Sequence, residues 1–173
     1  MELRPYQAEA KDAILHEWSE GRKRTLLVLP TGCGKTVCFA SVVKEEVDQG
    51  GRALIMAHRG ELLDQAADKV KQVTGMECAY EKAGSSSLGS YMPITVGSVQ
   101  SLCQEKRLQQ FPQDYFSTIV VDEAHHCLSD SYQRVLEHFA DANVLGVTAT
   151  PDRGDMRNLG RFFDSRAYEY TMS

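Results

Sequence analysis

An α/β fold, with a largely parallel sheet covered by helices on both faces, is what this 173-residue sequence predicts. Three observations carry it. Short apolar runs of strand length alternate with helix-like periodic segments along almost the whole chain. The runs are apolar at consecutive positions, as strands buried on both faces require. A balance of 42% hydrophobic to 25% charged residues excludes a disordered or low-complexity chain, so these segments have a core to build.

Residues 7–19 read as a helix because Ala10, Ile14 and Trp18 recur at i, i+4 and i+8. Residues 25–29 form a buried strand, which Gly32 and Gly34 end, and helical spacing resumes over 36–47. A second strand covers 53–57. The helix after it, 61–73, has Leu62, Ala66, Lys69 and Val73 spaced around it. Residues 76–81 include a short strand, and 83–92, with the run GSSSLGS, is the most loop-like stretch and is expected to be mobile. Strands at 94–96, 118–121 and 144–147 complete the series, with helices near 98–106 and 132–139. No repeat or linker divides the chain, so 1–173 reads as one domain.

Composition narrows the setting. No apolar run approaches the ~18–20 residues that cross a bilayer, and the N-terminus lacks a positive-then-apolar signal pattern. The five cysteines are odd in number with no CxxC pair, which points to reduced thiols, a cytoplasmic location and no membrane partner. The net charge of −5 does not suit nucleic acid held by bulk electrostatics; any such site is a local patch.

Between the first strand and its helix lies Leu29-Pro30-Thr31-Gly32-Cys33-Gly34-Lys35-Thr36. Without side chains at Gly32 and Gly34, backbone N–H groups and the helix N-terminus can close on a phosphate. Lys35 would reach the β- and γ-phosphates of a nucleotide, and the Thr36 hydroxyl would ligate Mg²⁺. The strict phosphate-loop pattern has glycine where this chain has Leu29, and the plainer alternative is a glycine turn capping a helix. The strand–loop–helix placement favours the nucleotide. A second strand, 118–121, runs into Asp122-Glu123-Ala124-His125. Alone, an acidic pair there is a helix N-terminal charge pair. Beside a phosphate loop on an adjacent strand, Asp122 secures Mg²⁺, partly through water, while Glu123 orients and deprotonates an attacking water.

With these two motifs in place, the sequence resembles the first RecA-like motor domain of a superfamily 2 helicase. Residues 30–36 match that superfamily's motif I, in which Leu29 is no obstacle, and Asp122 to His125 spell the DEAH form of motif II. Thr148-Ala149-Thr150-Pro151 resembles motif III, and Arg4-Pro5-Tyr6-Gln7 the adenine-reading Q-type motif. Residues 57–62 and 96–102 are similar to the strand-contacting motifs. HRGELLDQ and TATPDRGD resemble the group of type I and III restriction motor subunits and XPB-like repair helicases. The resemblance implies an α/β RecA-like P-loop NTPase fold and ATP with Mg²⁺ as cofactors. It implies nucleic acid as partner, DNA ahead of RNA, and a second RecA-like domain of the same full-length protein, whose motifs this chain lacks. By the same resemblance, Lys35, Asp122 and Glu123 are catalytic. Arg4, Gln7, Thr31, Gly32, Cys33, Gly34, Lys35 and Thr36 bind nucleotide. His58, Arg59, Ser98, Gln100 and Ser101 touch the strand backbone, while His125, Thr148 and Thr150 couple the two sites.

Other readings are weaker. His125, His126 and Cys127 point in different directions and rarely ligate one tetrahedral ion. Arg22-Lys23-Arg24 reads as a solvated turn. Two further function classes stay open at this point: a nucleotide-gated binding module that neither unwinds nor moves, and a P-loop kinase with a small-molecule acceptor.

Overall fold

A computed structural model of the chain describes residues 2–30, 34–149 and 151–170, so Thr31, Gly32, Cys33 and Thr150 lie outside the described residues. In chain order the elements are α1 (Pro5–Ser19), β1 (Arg24–Val28), α2 (Lys35–Asp48), β2 (Ala53–Ala57), α3 (Gly60–Thr74), β3 (Ala79–Glu81) and β4 (Ile94–Ser98). There follow α4 (Val99–Leu102), α5 (Glu105–Leu108), β5 (Thr118–Asp122), a 3₁₀ turn (Ala124–Leu128), α6 (Asp130–His138), β6 (Asn143–Thr148), α7 (Arg153–Leu159) and β7 (Ser165–Glu169).

Among the described residues, the strands form one seven-stranded sheet in the order β3-β4-β2-β5-β6-β1-β7, every pair parallel. Alternate side chains feed two cores. Leu27, Ile55, Val120 and Leu145 pack under α1–α3, with Ala10, Ile14 and Trp18 as the buried stripe of α1. Leu26, Leu54, Ile119 and Val144 face the other way, toward α4–α7. Gly146 in β6 is needed for that second core, since a Cβ there would overlap the Phe163 ring and stand 2.9 Å from Ala124 Cβ.

Several expectations are corrected. The residues read as spaced around α3 do not mark its buried face: that is Leu63, Ala67 and Val70, with Ala66 and Val73 partly buried beside them and Leu62 exposed. The helix predicted near 98–106 is two short ones, because Gln104 is extended. Residues 83–92 are tied down by a buried carboxylate. Glu81 accepts hydrogen bonds from Ser86 Oγ, Ser87 N–H and Ser87 Oγ, and pairs with Arg107. The sequence series ends at 144–147, yet the chain goes on to form β7. Its Arg166 and Glu169 are the charged residues that guard an exposed sheet edge, so no apolar run betrays the strand.

Candidate functional site

Gly34 is the N-cap of α2 and sits in the left-handed region, φ +69°. A Cβ there would stand 2.8 Å from Gln7 Nε2, the end of a side chain that would have to shift, so it is the left-handed conformation that requires glycine. Gln7 is 4% exposed, and its Oε1 accepts the Arg4 N–H at 3.0 Å. The start of α1 is thereby locked against the residue from which Lys35 and Thr36 continue. Thr36 is partly exposed in the first turn.

Lys35 crosses to the end of β5. Its Nζ lies 2.9 Å from Asp122 Oδ1 and 3.2 Å from Glu123 Oε1. The expected meeting of the two motifs is present, though not through adjacent strands: β6 runs between β1 and β5. A long lysine side chain spans the gap. Burial disfavours the ammonium, but hydrogen bonds to Asp122 and Glu123 and their negative field outweigh it, so its pKa stands above the ordinary lysine value. Among the described residues, Glu123 is the single non-glycine residue with positive φ, 59°. That backbone costs on the order of 1–2 kcal/mol and is held by the Glu123 N–H donating to Asp122 Oδ1 at 3.0 Å. Two carboxylates converge on one cation as a result. Asp122 already holds a positive charge, and with the Thr36 hydroxyl it offers the hard oxygen donors that suit Mg²⁺ beside phosphate.

β6 carries the third motif between these two. Val147 pairs with Asp122, and the carbonyl of buried Thr148 accepts the Leu29 N–H at 3.0 Å, so Thr148 lies where both loops leave the sheet. His125 is exposed and its ring stands 4.3 Å from that of His126.

The predicted strand contacts divide. His58, Arg59 and Gln100 are exposed at the ends of β2 and β4, and Gln100 Nε2 donates to the His58 carbonyl at 2.5 Å. Ser98 and Ser101 are 5% and 6% exposed, and the Ser98 hydroxyl accepts the Ser101 N–H as the cap of α4. The Ser98 hydroxyl is thus engaged in the turn, and the two serines present less surface than His58, Arg59 and Gln100. Sequence reasoning missed His126 and Tyr132, which stack with His58. Knowledge that β2 and β5 are neighbours would have exposed them, since their C-terminal ends then meet. Those ends enclose a cavity of about 160 Å³ lined by Ala57, His58, Arg59, Leu62, Asp122, Glu123 and His126.

Fold and site together define a RecA-like motor domain of a superfamily 2 helicase. The chain matches the family described as "Type III restriction enzyme, res subunit" over residues 1–153, and it belongs to that family. It is 34% identical over 97% of its length to a putative mitochondrial ATP-dependent helicase, irc3, of Schizosaccharomyces pombe, covering 29% of that protein. It is 32% identical over 90% of its length to the DNA 3'-5' translocase XPB2 of Sulfurisphaera tokodaii, covering 32% of it. Among solved structures, the UvsW helicase of bacteriophage T4 superposes with a TM-score of 0.69 at 21% identity, covering 98% of this chain and 61% of that one. A type ISP restriction-modification enzyme, LlaGI, in complex with a DNA substrate mimic gives 0.68 at 19% identity, over 99% of this chain and 20% of that one. The chain thus spans about three tenths of the curated relatives it matches.

Proposed function

We propose that this chain is the ATP-binding half of an ATP-dependent nucleic-acid motor, a helicase or translocase that works on DNA ahead of RNA. The observation that carries the reading is the convergence of Lys35, Asp122 and Glu123 beside a glycine-started helix, at 2.9 and 3.2 Å. In that reading Gln7 and Arg4 read the adenine edge, and Gly34 and Lys35 receive the phosphates, with Thr31, Gly32 and Cys33 completing the loop. Thr36 and Asp122 hold Mg²⁺, Asp122 partly through water. Mg²⁺, when bound, offsets charge on the β- and γ-phosphates. Lys35 exchanges its carboxylate partners for phosphate oxygens, which frees Glu123 to orient a water and take its proton. His58, Arg59 and Gln100 meet the sugar–phosphate backbone, a contact that carries no sequence information. His125, Thr148 and Thr150 pass the nucleotide state toward the strand path. DNA is put ahead because the relative named a DNA 3'-5' translocase is 32% identical, against 29% and 30% for two relatives named ATP-dependent RNA helicases. The partner that completes the motor is a second RecA-like domain of the same protein, and the setting is cytoplasmic. Among the described residues, no helix is long and apolar enough to cross a membrane.

Lys35→Ala tests the nucleotide reading directly. A charge-assisted contact to phosphate is worth about 1.5–3 kcal/mol, so affinity for a non-hydrolysable ATP analogue should fall by about 10- to 100-fold in a calorimetric titration. Equal affinity of mutant and wild type would make the glycine loop a structural cap and sink the proposal.

A further inference from the structure

Between Asp122 and Glu123 and the exposed ends of β2 and β4 stands a short column of two imidazoles, flanked by a tyrosine ring. His58 follows β2, and His126 sits in the 3₁₀ turn after β5; these strands are hydrogen-bonded neighbours, with Met56 opposite Val121. The two imidazoles lie 4.3 Å apart, centroid to centroid, with their planes 4° from parallel. Tyr132 from α6 flanks both imidazoles, 5.5 Å from His126 and 6.4 Å from His58. Tyr132 is 1% exposed and its hydroxyl has no hydrogen-bond partner among the described residues, so ring packing holds it against the pair. At the outer end, Gln100 grips the His58 carbonyl. His126 has a second attachment: its backbone N–H donates to the Glu123 carbonyl at 3.0 Å, next to the left-handed φ of that residue.

We propose that His126 is a positioning residue that couples strand contact at His58 and Gln100 to the backbone conformation of Glu123. The inference deepens the motor reading and rests on it. A displacement of His58 by a bound strand would move the ring stacked on it, and that ring belongs to the residue hydrogen-bonded to Glu123. His125 is the other route out of the same turn, but it is exposed and its ring is tilted 39° against His126 where that of His58 lies flat. Burial, with His125 and His58 nearby, holds the His126 pKa below the ordinary histidine value against the opposing pull of Glu123 and Asp122. Both effects favour the uncharged ring, which suits its close stack on His58. An aromatic pair of this kind supports about 2- to 10-fold in coupling, part of the 5- to 150-fold typical between linked sites.

The test is steady-state ATPase of the full-length protein against increasing poly(dT), beside oligonucleotide affinity by anisotropy. His126→Ala should leave basal turnover and oligonucleotide affinity in place while maximal stimulation falls about 2- to 10-fold. His126→Phe keeps a flat ring in the column and should retain stimulation; thermal melts check that both variants fold. Undiminished stimulation in His126→Ala overturns the inference. So does equal loss in His126→Phe, or a basal fall as large as the stimulated one, which would put His126 in the chemistry itself. A wild-type ATPase that neither poly(dT) nor poly(U) stimulates would remove the motor reading, and this inference with it.

Discussion

Turnover of ATP by the 173-residue chain, with saturating single strand present, is expected to trail a longer protein carrying a second RecA-like domain by roughly 10³–10⁵. That factor is what an inserted arginine contributes to charge development on the γ-phosphate in related NTPases. The phosphate ligands proposed here all come from one face of one sheet, and the family resemblance puts the arginine in the second domain. Arg153 and Arg157 do not replace it. Both are exposed on α7, which follows β6 and the third motif on this same domain. The proposed motor would share its strand groove with that second domain, and a net charge of −5 adds no general attraction for nucleic acid. Binding of nucleotide without fast turnover, and little stimulation by polymer, is the expected behaviour. The check is steady-state ATPase of the two proteins side by side. Matching, strongly stimulated rates would refute the half-motor reading.

Glu123→Gln in the longer protein should lower turnover by at least ~10²-fold while nucleotide binding survives, because an amide keeps the size of the carboxylate but takes no proton from water. The geometry adds a second expectation. Lys35 is shared between Asp122 at 2.9 Å and Glu123 at 3.2 Å, and it must leave them to meet phosphate. Removing one of the two competing charges makes that exchange easier, so ATP-analogue affinity should hold or rise. Calorimetry beside single-turnover hydrolysis separates the two effects. Unchanged turnover would show that Glu123 is not the base; a lost affinity would show that its charge is needed to place Lys35.

The candidate site, where Lys35 meets Asp122 and Glu123, was legible because its residue types are local and rare in combination. Gly34, Lys35 and Thr36 follow a strand, and Asp122 and Glu123 follow another. The stripe Ala10, Ile14, Trp18 was legible for a similar reason: one helix face is read from one stretch of sequence. What escaped depends on strand order, which no local pattern contains. Nothing near Asp122 announces that β6 separates it from β1, or that β2 brings His58 onto His126. Ser98 and Ser101 look like exposed hydroxyls until the Ser98 hydroxyl is found capping α4 and both are buried. β7 escaped because edge strands need charge where central strands need apolar side chains.

The position of β1 in the sheet bears on how the molecule is made. Its hydrogen-bonding neighbours are β6 and β7, and Thr25 meets Ser165 across 140 residues of chain. By contrast, β2, β4 and β5 join one another within residues 53–122. Closing long loops is slow, so the central strands are expected to gain structure while β1, synthesised first, still waits for partners. Pulse-labelled hydrogen exchange during refolding should find β2 and β4 protected before β1; simultaneous protection would contradict this order. Lys35, which follows β1, would then meet Asp122 and Glu123 only once β6 has joined β1 to β5, so the lysine made early becomes a functional group late.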